Sequence, residues 1–381
     1  MNNWIKIPNL HSSACYSRPI YFVTSSGSPG GAERQLANLL NNLTHNSINL
    51  LVLNNSAFLE SLISNNNVSI TYLRSNNILL ALFAFCRRLR VEPDSNITIV
   101  GWMAKANIFV LFASLLLLPF KSTSLIWNHR SNFFLYQSVY SQLLLFSSLF
   151  FSFLSPKKIT HVSNSSSIFS HKLVRSMLTG PKYVIPNGFE FSSFPSFNKT
   201  RQLSIPLPFD GKLLLICPAR LSPEKGHQLL FQALERVNFN FHITLVGTGC
   251  NYENPSLLSL ISKVRDNVSL IEHSSSILDL YCRHHYTVLF SSSESFPNVI
   301  VESMALSVPT ICSDVGESKS IVGPYGFVLK ERTVVEACES LCSAYRLCLS
   351  RAYSDMCINA RNHVVDKYSV SKMTKAFNTL F

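Results

Sequence analysis

The chain has 381 residues, of which 47% are hydrophobic and only 14% are charged. This composition excludes intrinsic disorder, and the small number of glycines (13) excludes a collagen-like or glycine-rich linker protein. The length predicts two domains of ordinary size. The ten cysteines are scattered singly, without a CxxC pair or a zinc-type spacing. That pattern favours reduced, mostly buried thiols over disulfides or a zinc site.

Positive charge is concentrated in the first half of the chain. Residues 1–200 contain 16 Lys/Arg and 5 Asp/Glu, whereas residues 201–381 contain 17 and 16. No acidic residue lies between Asp94 and Glu190. A half this basic indicates an anionic partner: nucleic acid, a phosphorylated substrate or an acidic membrane surface. A low-acid composition without a partner is the alternative. Nucleic acid ranks last, because the aromatic-plus-basic motifs of RNA-binding modules are absent.

Two apolar stretches of the sequence are candidates for membrane-spanning segments. Ile108–Phe120 is about 13 residues long and contains Pro119, so it is too short to cross a bilayer. Leu143–Leu154 is also short and contains three serines. Both are predicted to be helices that lie partly in the core and partly at an interface. The start of the sequence lacks the apolar segment of a signal peptide.

Short apolar runs alternate with helical patterns along the first half of the chain. The first run, Ile20–Val23, precedes a glycine-rich turn and a helix from about Ala32 to Leu43. Alternating strands and helices predict a parallel sheet that is covered on both faces. The remaining strands predicted in this half are Asn49–Leu53, Ser69–Leu73, Ile97–Val100, Ser124–Trp127 and Ile159–Val162.

The alternation pauses at the loop Ser192–Pro208 and then resumes. The sequence therefore predicts an α/β protein with two Rossmann-like domains, over residues 1–190 and 191–365. A C-terminal helix over residues 366–381 is expected to pack back on the first domain. The strands predicted in the second half are Leu213–Cys217, Phe241–Val246, Val268–Ile271, Thr287–Phe290, Thr310–Cys312 and Phe327–Leu329.

In open α/β sheets, ligands bind beyond the carboxyl ends of the strands, where loops lead into helix N-termini. The first such loop, Gly27–Arg34, is rich in glycine. Glycines allow a phosphate or a sugar to approach the backbone, and a helix N-terminus favours an anion. The loop does not match the GxGxxG fingerprint of dinucleotide-binding proteins. Taken alone, it also fits an ordinary tight turn.

A second loop, Ala219–Gly226, follows the first strand of the second half. Arg220 and Lys225 lie five residues apart on this loop. They could grip both ends of a diphosphate, the arginine as a fork and the lysine as a point charge. The alternative is a solvated loop with ordinary surface cations. Its position directly after a strand favours the anion site.

A third loop carries two carboxylates. Glu294 follows the strand Thr287–Phe290, and Glu302 lies eight residues further on, in a helix predicted to begin near Asn298. Apolar neighbours indicate that Glu302 faces inward rather than towards solvent. Carboxylates accept hydrogen bonds well from sugar and ribose hydroxyls. This pair therefore suits recognition of a sugar and a ribose.

Together, these motifs resemble the retaining, nucleotide-sugar-dependent glycosyltransferases of family 4, of the type that builds cell-surface polysaccharides. The resemblance implies the GT-B fold, in which two Rossmann-like domains face each other across a cleft. Any one motif is weak, but their order along the chain is specific. The matching pieces are GGAER (30–34), PNGF (186–189), RLSPEKG (220–226), VGTG (246–249), the two glutamates, and VPTICSDVGE (308–317).

The resemblance implies that the second domain binds the donor, that the first binds the acceptor, and that the reaction occurs between them. Arg220 and Lys225 would neutralise the departing diphosphate. Glu294 would hold the donor sugar as a third catalytic residue, and Glu302 would hold the ribose. Further residues are assigned to the donor side (Asn298, Val299, Gly247 and Gly249) and to the acceptor side (Gly30, Gly31, Arg34, His129 and Arg130).

The activity implied is transfer of a hexosyl or N-acetylhexosaminyl group from a UDP- or GDP-linked donor. The acceptor would be a lipid-linked glycan in lipopolysaccharide, capsule or exopolysaccharide synthesis. No cofactor is expected, and no metal ion, because the GT-B pattern uses cationic side chains in its place. The basic half predicts a cytoplasmic protein bound peripherally to the anionic inner face of the cytoplasmic membrane, without a nucleic-acid partner.

Four positions depart from the family pattern. Ala219, Ser295, Ser307 and Glu317 stand where the family usually has glycine. Serine replaces glycine poorly where φ is positive. These departures motivate a second hypothesis, a catalytically weak or inactive GT-B subunit that acts as a binding partner in a glycan-assembly complex. The presence of Arg220, Lys225 and both glutamates favours catalysis.

Overall fold

A computed structural model describes most of the chain. The described residues are 19–25, 30–54, 57–72, 77–117, 120–130, 139–155, 158–170, 172–195 and 207–381. Five parts of the predictions lie outside them: the start of the sequence (1–18), the start of the first glycine-rich loop (27–29), Leu73, residues 118–119 of the first apolar stretch, and much of the predicted linker (196–206).

The chain divides into two compact units. Unit 1 contains the described residues up to Phe189 together with Val370–Phe381, and unit 2 contains Glu190–Ser369. Each unit has its own parallel sheet with helices between the strands. The predicted α/β class with two Rossmann-like domains is therefore confirmed.

Unit 1 contains a seven-stranded sheet in which every pairing between neighbours is parallel. The strand order is β3-β2-β1-β4-β5-β6-β7, so the order reverses between β1 and β4. Residues of β1 and β4 are almost all buried, as expected of parallel strands covered on both faces. The strands are β1 (Ile20–Thr24), β2 (Ile48–Val52), β3 (Val68–Tyr72), β4 (Asn96–Trp102), β5 (Ser122–His129), β6 (Ile159–Ser163) and β7 (Lys182–Val184).

Two hydrophobic clusters cover the two faces of this sheet. One cluster joins the first helix and the C-terminal helix to the sheet, and the other joins the third and fourth helices to it. The helices of unit 1 are α1 (Gly31–Asn42), α2 (Ala57–Leu62), α3 (Ile78–Arg90), α4 (Ala104–Leu117), α5 (Val139–Leu154), α6 (Ser167–Ser170), α7 (Lys172–Met177) and, at the end of the chain, α15 (Val370–Asn378).

Unit 2 contains a six-stranded parallel sheet in the order β10-β9-β8-β11-β12-β13, which reverses between β8 and β11. The strands are β8 (Leu213–Pro218), β9 (Phe241–Val246), β10 (Val268–Ile271), β11 (Tyr286–Leu289), β12 (Thr310–Ser313) and β13 (Phe327–Leu329). The helices are α8 (His227–Leu234), α9 (Pro255–Leu260), α10 (Ile277–Tyr281), α11 (Asn298–Ala305), α12 (Ser318–Val322), α13 (Val334–Cys348) and α14 (Ala352–Lys367).

The C-terminal helix α15 belongs to unit 1. Met373 and Phe377 are buried in the cluster that also contains α1, and the Val370 N–H donates to the Phe189 carbonyl at 2.9 Å. Gly188 makes this contact possible, because a Cβ there would lie 2.8 Å from the Val370 Cα and 2.7 Å from the Met373 Cβ. The glycine of the PNGF motif is therefore needed for close packing of α15.

The apolar stretches form helices that differ in exposure. In α4 most side chains are buried, and Phe112 and Leu116 are its exposed large apolar side chains, whereas α5 exposes several more. Among the described residues, no helix combines the length and apolar character that crossing a bilayer requires. All nine described cysteines are free and six of them are buried, as the sequence predicts.

Candidate functional site

In unit 2, two loops meet at the point where the strand order reverses. One follows β8 and the other follows β11, and these two strands are neighbours in the sheet. Reversal points of this kind form the crevice in which open α/β sheets bind ligands. The loops carry Arg220 and Lys225 on one side and Glu294 on the other.

Lys225 and Glu294 form an ion pair at this crevice. The Lys225 Nζ lies 2.7 Å from the Glu294 Oε1, and the two side chains are only 20% and 13% exposed. Ser291 Oγ donates to the same carboxylate oxygen at 2.9 Å. An ammonium group has three donors, so Lys225 keeps two for a ligand. Because both contacts to Glu294 end on Oε1, its Oε2 can accept from a substrate hydroxyl.

The backbone beneath this ion pair is closely packed. Gly226 has φ 74°, and a Cβ at this position would lie 2.0 Å from the Phe290 carbonyl oxygen. The same oxygen accepts two hydrogen bonds from the Arg332 guanidinium, at 3.2 and 3.1 Å. The Ser292 N–H also donates to the Glu224 carbonyl at 2.8 Å. Only glycine at position 226 allows the two loops to approach this closely.

Arg220 differs from Lys225 in its surroundings. Its Nη2 pairs with the Glu224 Oε1 at 2.7 Å, but the Arg220 side chain is 65% exposed. Against the effect of partial burial, hydrogen bonds from Arg220 and Ser222 lower the pKa of Glu224 to about 2. An exposed ion pair of this kind contributes about 0–1 kcal/mol. Arg220 can therefore exchange its partner for a ligand phosphate at small cost.

The predicted donor residues of α11 lie at and just beyond its N-terminus. Asn298 and Val299 are the first two residues of the helix, where backbone N–H groups lack partners within the helix. Glu302 is half-buried one turn later, and its Oε2 accepts from the Tyr281 hydroxyl at 3.3 Å. Glu302 thus faces α10 rather than open solvent, as the sequence pattern indicates.

The two glycines of the VGTG motif shape the neighbouring loop. A Cβ at Gly247 would lie 2.7 Å from the Ala219 backbone, so this glycine allows the loops after β8 and β9 to touch. Gly249 has φ 85°, and its N–H donates to the Glu272 Oε1 at 3.0 Å. These glycines thus position the loop on which Arg220 lies.

The four departures from glycine are not equivalent in the structure. Ser307 has φ 62°, a left-handed conformation that disfavours any residue with a Cβ. Glu317 has φ −95° and is unstrained, and neither Ala219 nor Ser295 has a positive φ. The glycine that is structurally required in this segment is Gly316, because a Cβ there would lie 2.3 Å from the Glu294 carbonyl oxygen.

In unit 1, Arg130 follows β5 at the carboxyl edge of the sheet. Its Nη1 donates to the Asn187 Oδ1 at 2.5 Å, and its guanidinium carbon lies 4.0 Å from the centre of the Trp102 ring. Burial lowers the pKa of Arg130 to about 9. The Trp102 Nε1 in turn donates to the Ala32 carbonyl at 3.1 Å, which links this group to α1.

His129, the residue before Arg130, is buried. Its Nε2 lies 3.2 Å from the His161 Nδ1, and the His161 Nε2 lies 3.0 Å from the Thr179 carbonyl. The carbonyl requires a donor at the His161 Nε2, so the His129 Nε2 donates to His161. Burial lowers the pKa of both imidazoles, that of His129 to about 3. Both rings are therefore neutral and support the strand end from inside the core.

The first turn of α1 carries the remaining predicted residues. Gly30 precedes the helix with an extended backbone, and Gly31 is its first residue. Arg34 is exposed, whereas Glu33 is buried and its pKa is raised by burial. The Gly188 N–H donates to the Gln35 Oε1 at 3.0 Å. The turn thus borders the PNGF loop.

Sequence reasoning did not single out several residues of these sites. Ser291, Trp102 and Asn187 contact the predicted residues Glu294 and Arg130, and Glu33 is buried beside exposed Arg34. Each of these residues lies at a strand end or within one of the motifs named above, and this position is the sequence feature that could have identified it. Within the described part of the chain, no group of three or more His, Cys, Asp and Glu side chains is arranged to hold a metal ion.

Comparison with known proteins finds similarities over part of unit 2 and over most of the chain. Residues 198–348 match the family model described as Glycosyl transferases group 1. The chain is 31% identical over 166 residues to TuaC of Bacillus subtilis, which is named for teichuronic acid biosynthesis. That match spans 42% of this chain and 41% of TuaC.

Two further similarities cover most of the chain. It is 24% identical over 314 residues to a Campylobacter jejuni N-acetylgalactosaminyltransferase whose named acceptor is a diphospho-undecaprenol-linked sugar; the match covers 77% of this chain and 80% of that protein. The crystal structure of Anabaena HepE with UDP and glucose superposes with a TM-score of 0.73 at 19% identity, covering 95% of this chain and 98% of HepE. Unit 1 and unit 2 are therefore the two domains of a GT-B fold.

The packing at Gly226 leads to a prediction about stability. Gly226→Ala is expected to lower the free energy of unfolding by at least ~2 kcal/mol more than Gly211→Ala, because its Cβ would collide with the Phe290 carbonyl. Gly211 is the matched control, since it also has a positive φ (95°) but a Cβ there meets no atom within 4 Å. Urea denaturation measures both variants. Equal losses would show that the close approach is not required.

Proposed function

We propose that the protein is a glycosyltransferase of cell-surface polysaccharide synthesis. It moves a sugar from a nucleotide-sugar donor to a hydroxyl group of a lipid-linked glycan, with retention of the anomeric configuration. The observation that carries the proposal is the Lys225–Glu294 pair at the reversal point of the second sheet, within the region that matches the group 1 family model. The named roles of TuaC and of the C. jejuni enzyme support the same class of product.

Unit 2 is proposed to bind a UDP- or GDP-linked donor. Lys225 and Arg220 contact the diphosphate, and Glu302 accepts from the ribose hydroxyls. The HepE complex with UDP and glucose supports a donor of this kind. The hexosyl or N-acetylhexosaminyl group then lies beside Glu294, whose second carboxylate oxygen accepts from the sugar hydroxyls.

Catalysis follows from charge stabilisation and positioning. As the bond from the sugar to the diphosphate breaks, negative charge grows on the leaving group. The Lys225 ammonium is already held by Glu294, whose carboxylate also accepts from Ser291, so it stabilises that charge without reorganising. The acceptor hydroxyl then attacks the anomeric carbon, and its proton leaves with the departing diphosphate. Holding donor and acceptor together supplies the remaining rate increase.

Replacing donor-site residues is expected to reduce turnover strongly. Lys225→Ala and Glu302→Ala should each lower the rate by at least ~10²-fold, the scale for losing one contact that stabilises transition-state charge. Turnover is measured as nucleoside diphosphate released by the folded variants from a panel of nucleotide sugars.

Lys263→Ala and Glu235→Ala are the matched controls, because these residues form a 2.8 Å ion pair in the same unit. They are expected to retain wild-type turnover. Near wild-type rates in Lys225→Ala and Glu302→Ala would rule out the proposed donor site. A wild-type protein that binds donors but turns none over would instead support the inactive-subunit hypothesis. The strained backbone of Ser307, at φ 62°, is the structural observation that favours this hypothesis.

Activity is also expected to survive removal of divalent metal ions. Lys225 and Arg220 carry the positive charge that the departing diphosphate requires. Turnover is compared before and after treatment with EDTA. Loss of activity in EDTA that added Mg²⁺ or Mn²⁺ restores would overturn the metal-independent mechanism.

We further propose that unit 1 docks on an anionic membrane surface through one side of its sheet. Helices α3, α4 and α5 pack side by side there, and Phe112 of α4 contacts Phe151 of α5 edge to face at 5.3 Å. We call their exposed apolar side chains the α3–α5 face. It consists of Ile78, Leu79, Leu80, Phe83, Phe112, Leu116, Leu143, Phe146, Phe150, Phe153 and Leu154.

Basic residues border the α3–α5 face. Arg87 and Arg90 lie exposed in the last turn of α3, and the Arg90 guanidinium stacks 4.0 Å from the exposed Phe120 ring. Lys158 is exposed just after α5. Each such cation contributes roughly 1 kcal/mol near an anionic surface. Apolar insertion combined with charge is what peripheral binding to the inner face of the cytoplasmic membrane requires.

Vesicle binding tests this surface. The protein is expected to float with anionic phospholipid vesicles more than with neutral ones, and to be released by high salt. Phe83→Ser/Phe150→Ser should abolish flotation, whereas Val335→Ser/Leu349→Ser should not, although all four side chains are 51–64% exposed. Equal binding to anionic and neutral vesicles would contradict the proposed surface. An equal loss of flotation in the two double variants would contradict it as well.

A further inference from the structure

Arg130 is held in a fixed orientation at the carboxyl edge of the first sheet. Its Nη1 donates to Asn187, and its flat face stacks on Trp102. Both partners are themselves anchored to α1. Trp102 donates to the Ala32 carbonyl, and the residue after Asn187 accepts from the Asn38 side chain at 3.1 Å. The guanidinium thus has one nitrogen and one face engaged.

The opposite edge of the same guanidinium has no partner. Within the described part of the chain, the buried Nε and Nη2 atoms make no hydrogen bond. The N–H groups of these two atoms point in parallel from one edge, which is the geometry that binds two oxygens of a single anion. Both atoms are screened from solvent, so a ligand has to displace neighbouring groups to reach them.

The charge of Arg130 is also uncompensated. Burial is the cause that lowers its pKa, and no carboxylate among the described residues acts against it. The sequence contains no acidic residue between Asp94 and Glu190, a stretch that includes both Arg130 and Asn187. A buried cation without a counter-ion destabilises a fold. Such a residue is costly to keep unless an anion binds to it.

We propose that the Nε/Nη2 edge of Arg130 binds a phosphoryl group of the acceptor. This inference rests on the proposed function, in which the acceptor is a lipid-linked glycan. The donor diphosphate is assigned to Lys225 and Arg220 of unit 2, so an unpaired guanidinium in unit 1 calls for a second anion. In the acceptor for which the C. jejuni enzyme is named, a diphosphate joins the sugar to the lipid, and this diphosphate is the anion that we assign to Arg130.

Direct binding tests the proposal without requiring turnover. The donor-site cations are first removed by Arg220→Ala/Lys225→Ala in the full chain, so that diphosphate binding reports on unit 1. Farnesyl diphosphate is then titrated by calorimetry, with farnesol and glucuronate as probes that lack the phosphoryl group. The added change Arg130→Gln is expected to weaken farnesyl diphosphate binding at least tenfold and to leave farnesol binding unchanged.

Unchanged affinity for farnesyl diphosphate in the Arg130→Gln variant would overturn the proposal. Glucuronate binding that depends on Arg130, without diphosphate binding, would also overturn it, because it would make the ligand a sugar carboxylate. A different result would contradict the proposed function and leave the anion site intact. A protein that binds farnesyl diphosphate through Arg130 but transfers no sugar would support the anion site and contradict the transferase.

A stability measurement separates binding from a structural role. Arg130→Met removes the buried charge, and Asn187 keeps a donor, the Asn164 side chain, at 3.4 Å. The Tm of this variant without ligand is expected to equal or exceed that of the wild type, and the rise in Tm on adding farnesyl diphosphate is expected to disappear. A lower Tm together with an unchanged ligand-induced rise would show a purely structural arginine.

Discussion

The second unit is organised around one ion pair between two loops. Lys225 and Glu294 are 69 residues apart in sequence and 2.7 Å apart in space. They can meet only because β8 and β11 are neighbours, because Gly226 lacks a side chain, and because Gly316 leaves room beside the Glu294 backbone. A half-buried pair of this kind strengthens each electrostatic contact to a ligand, since little water screens it. The loops are thus shaped to hold charge before any substrate arrives.

The two units share a reversal of strand order, but the cations near it have different partners. In each sheet the strand order reverses beside the first strand. Cations follow nearby strands at the carboxyl ends: Arg220 and Lys225 follow β8 in unit 2, and Arg130 follows β5 in unit 1. In unit 2 the cations have carboxylate partners, Glu224 and Glu294. In unit 1 the corresponding cation, Arg130, has an amide and an aromatic ring instead. An anion at the unit 2 loops would therefore meet cations that are already paired with carboxylates, whereas an anion at Arg130 would be the first charged partner of that cation among the described residues.

Local sequence patterns predicted the elements well and their contacts poorly. β9, β10 and β13 begin and end at the predicted residues, because each is a short, mostly apolar run bounded by polar residues or glycine. β7 was missed, since an edge strand of three half-buried residues, Lys-Tyr-Val, has no apolar pattern to detect. The burial of His129 and the stacking of Arg130 on Trp102 depend on which strands pair. Such pairing is set by the whole chain rather than by any local segment.

The return of α15 to the first unit affects how the protein is made. Val370, Met373 and Phe377 fill the same cluster as α1 and β1, although more than 300 residues separate them in the chain. The first part of unit 1 leaves the ribosome long before α15 does. Until residues 370–378 follow, its hydrophobic cluster therefore lacks the side chains that α15 contributes. Unit 2 is inserted between these segments and contains all of its own strands, so it can complete its fold sooner. The first unit to be translated is the last to be finished.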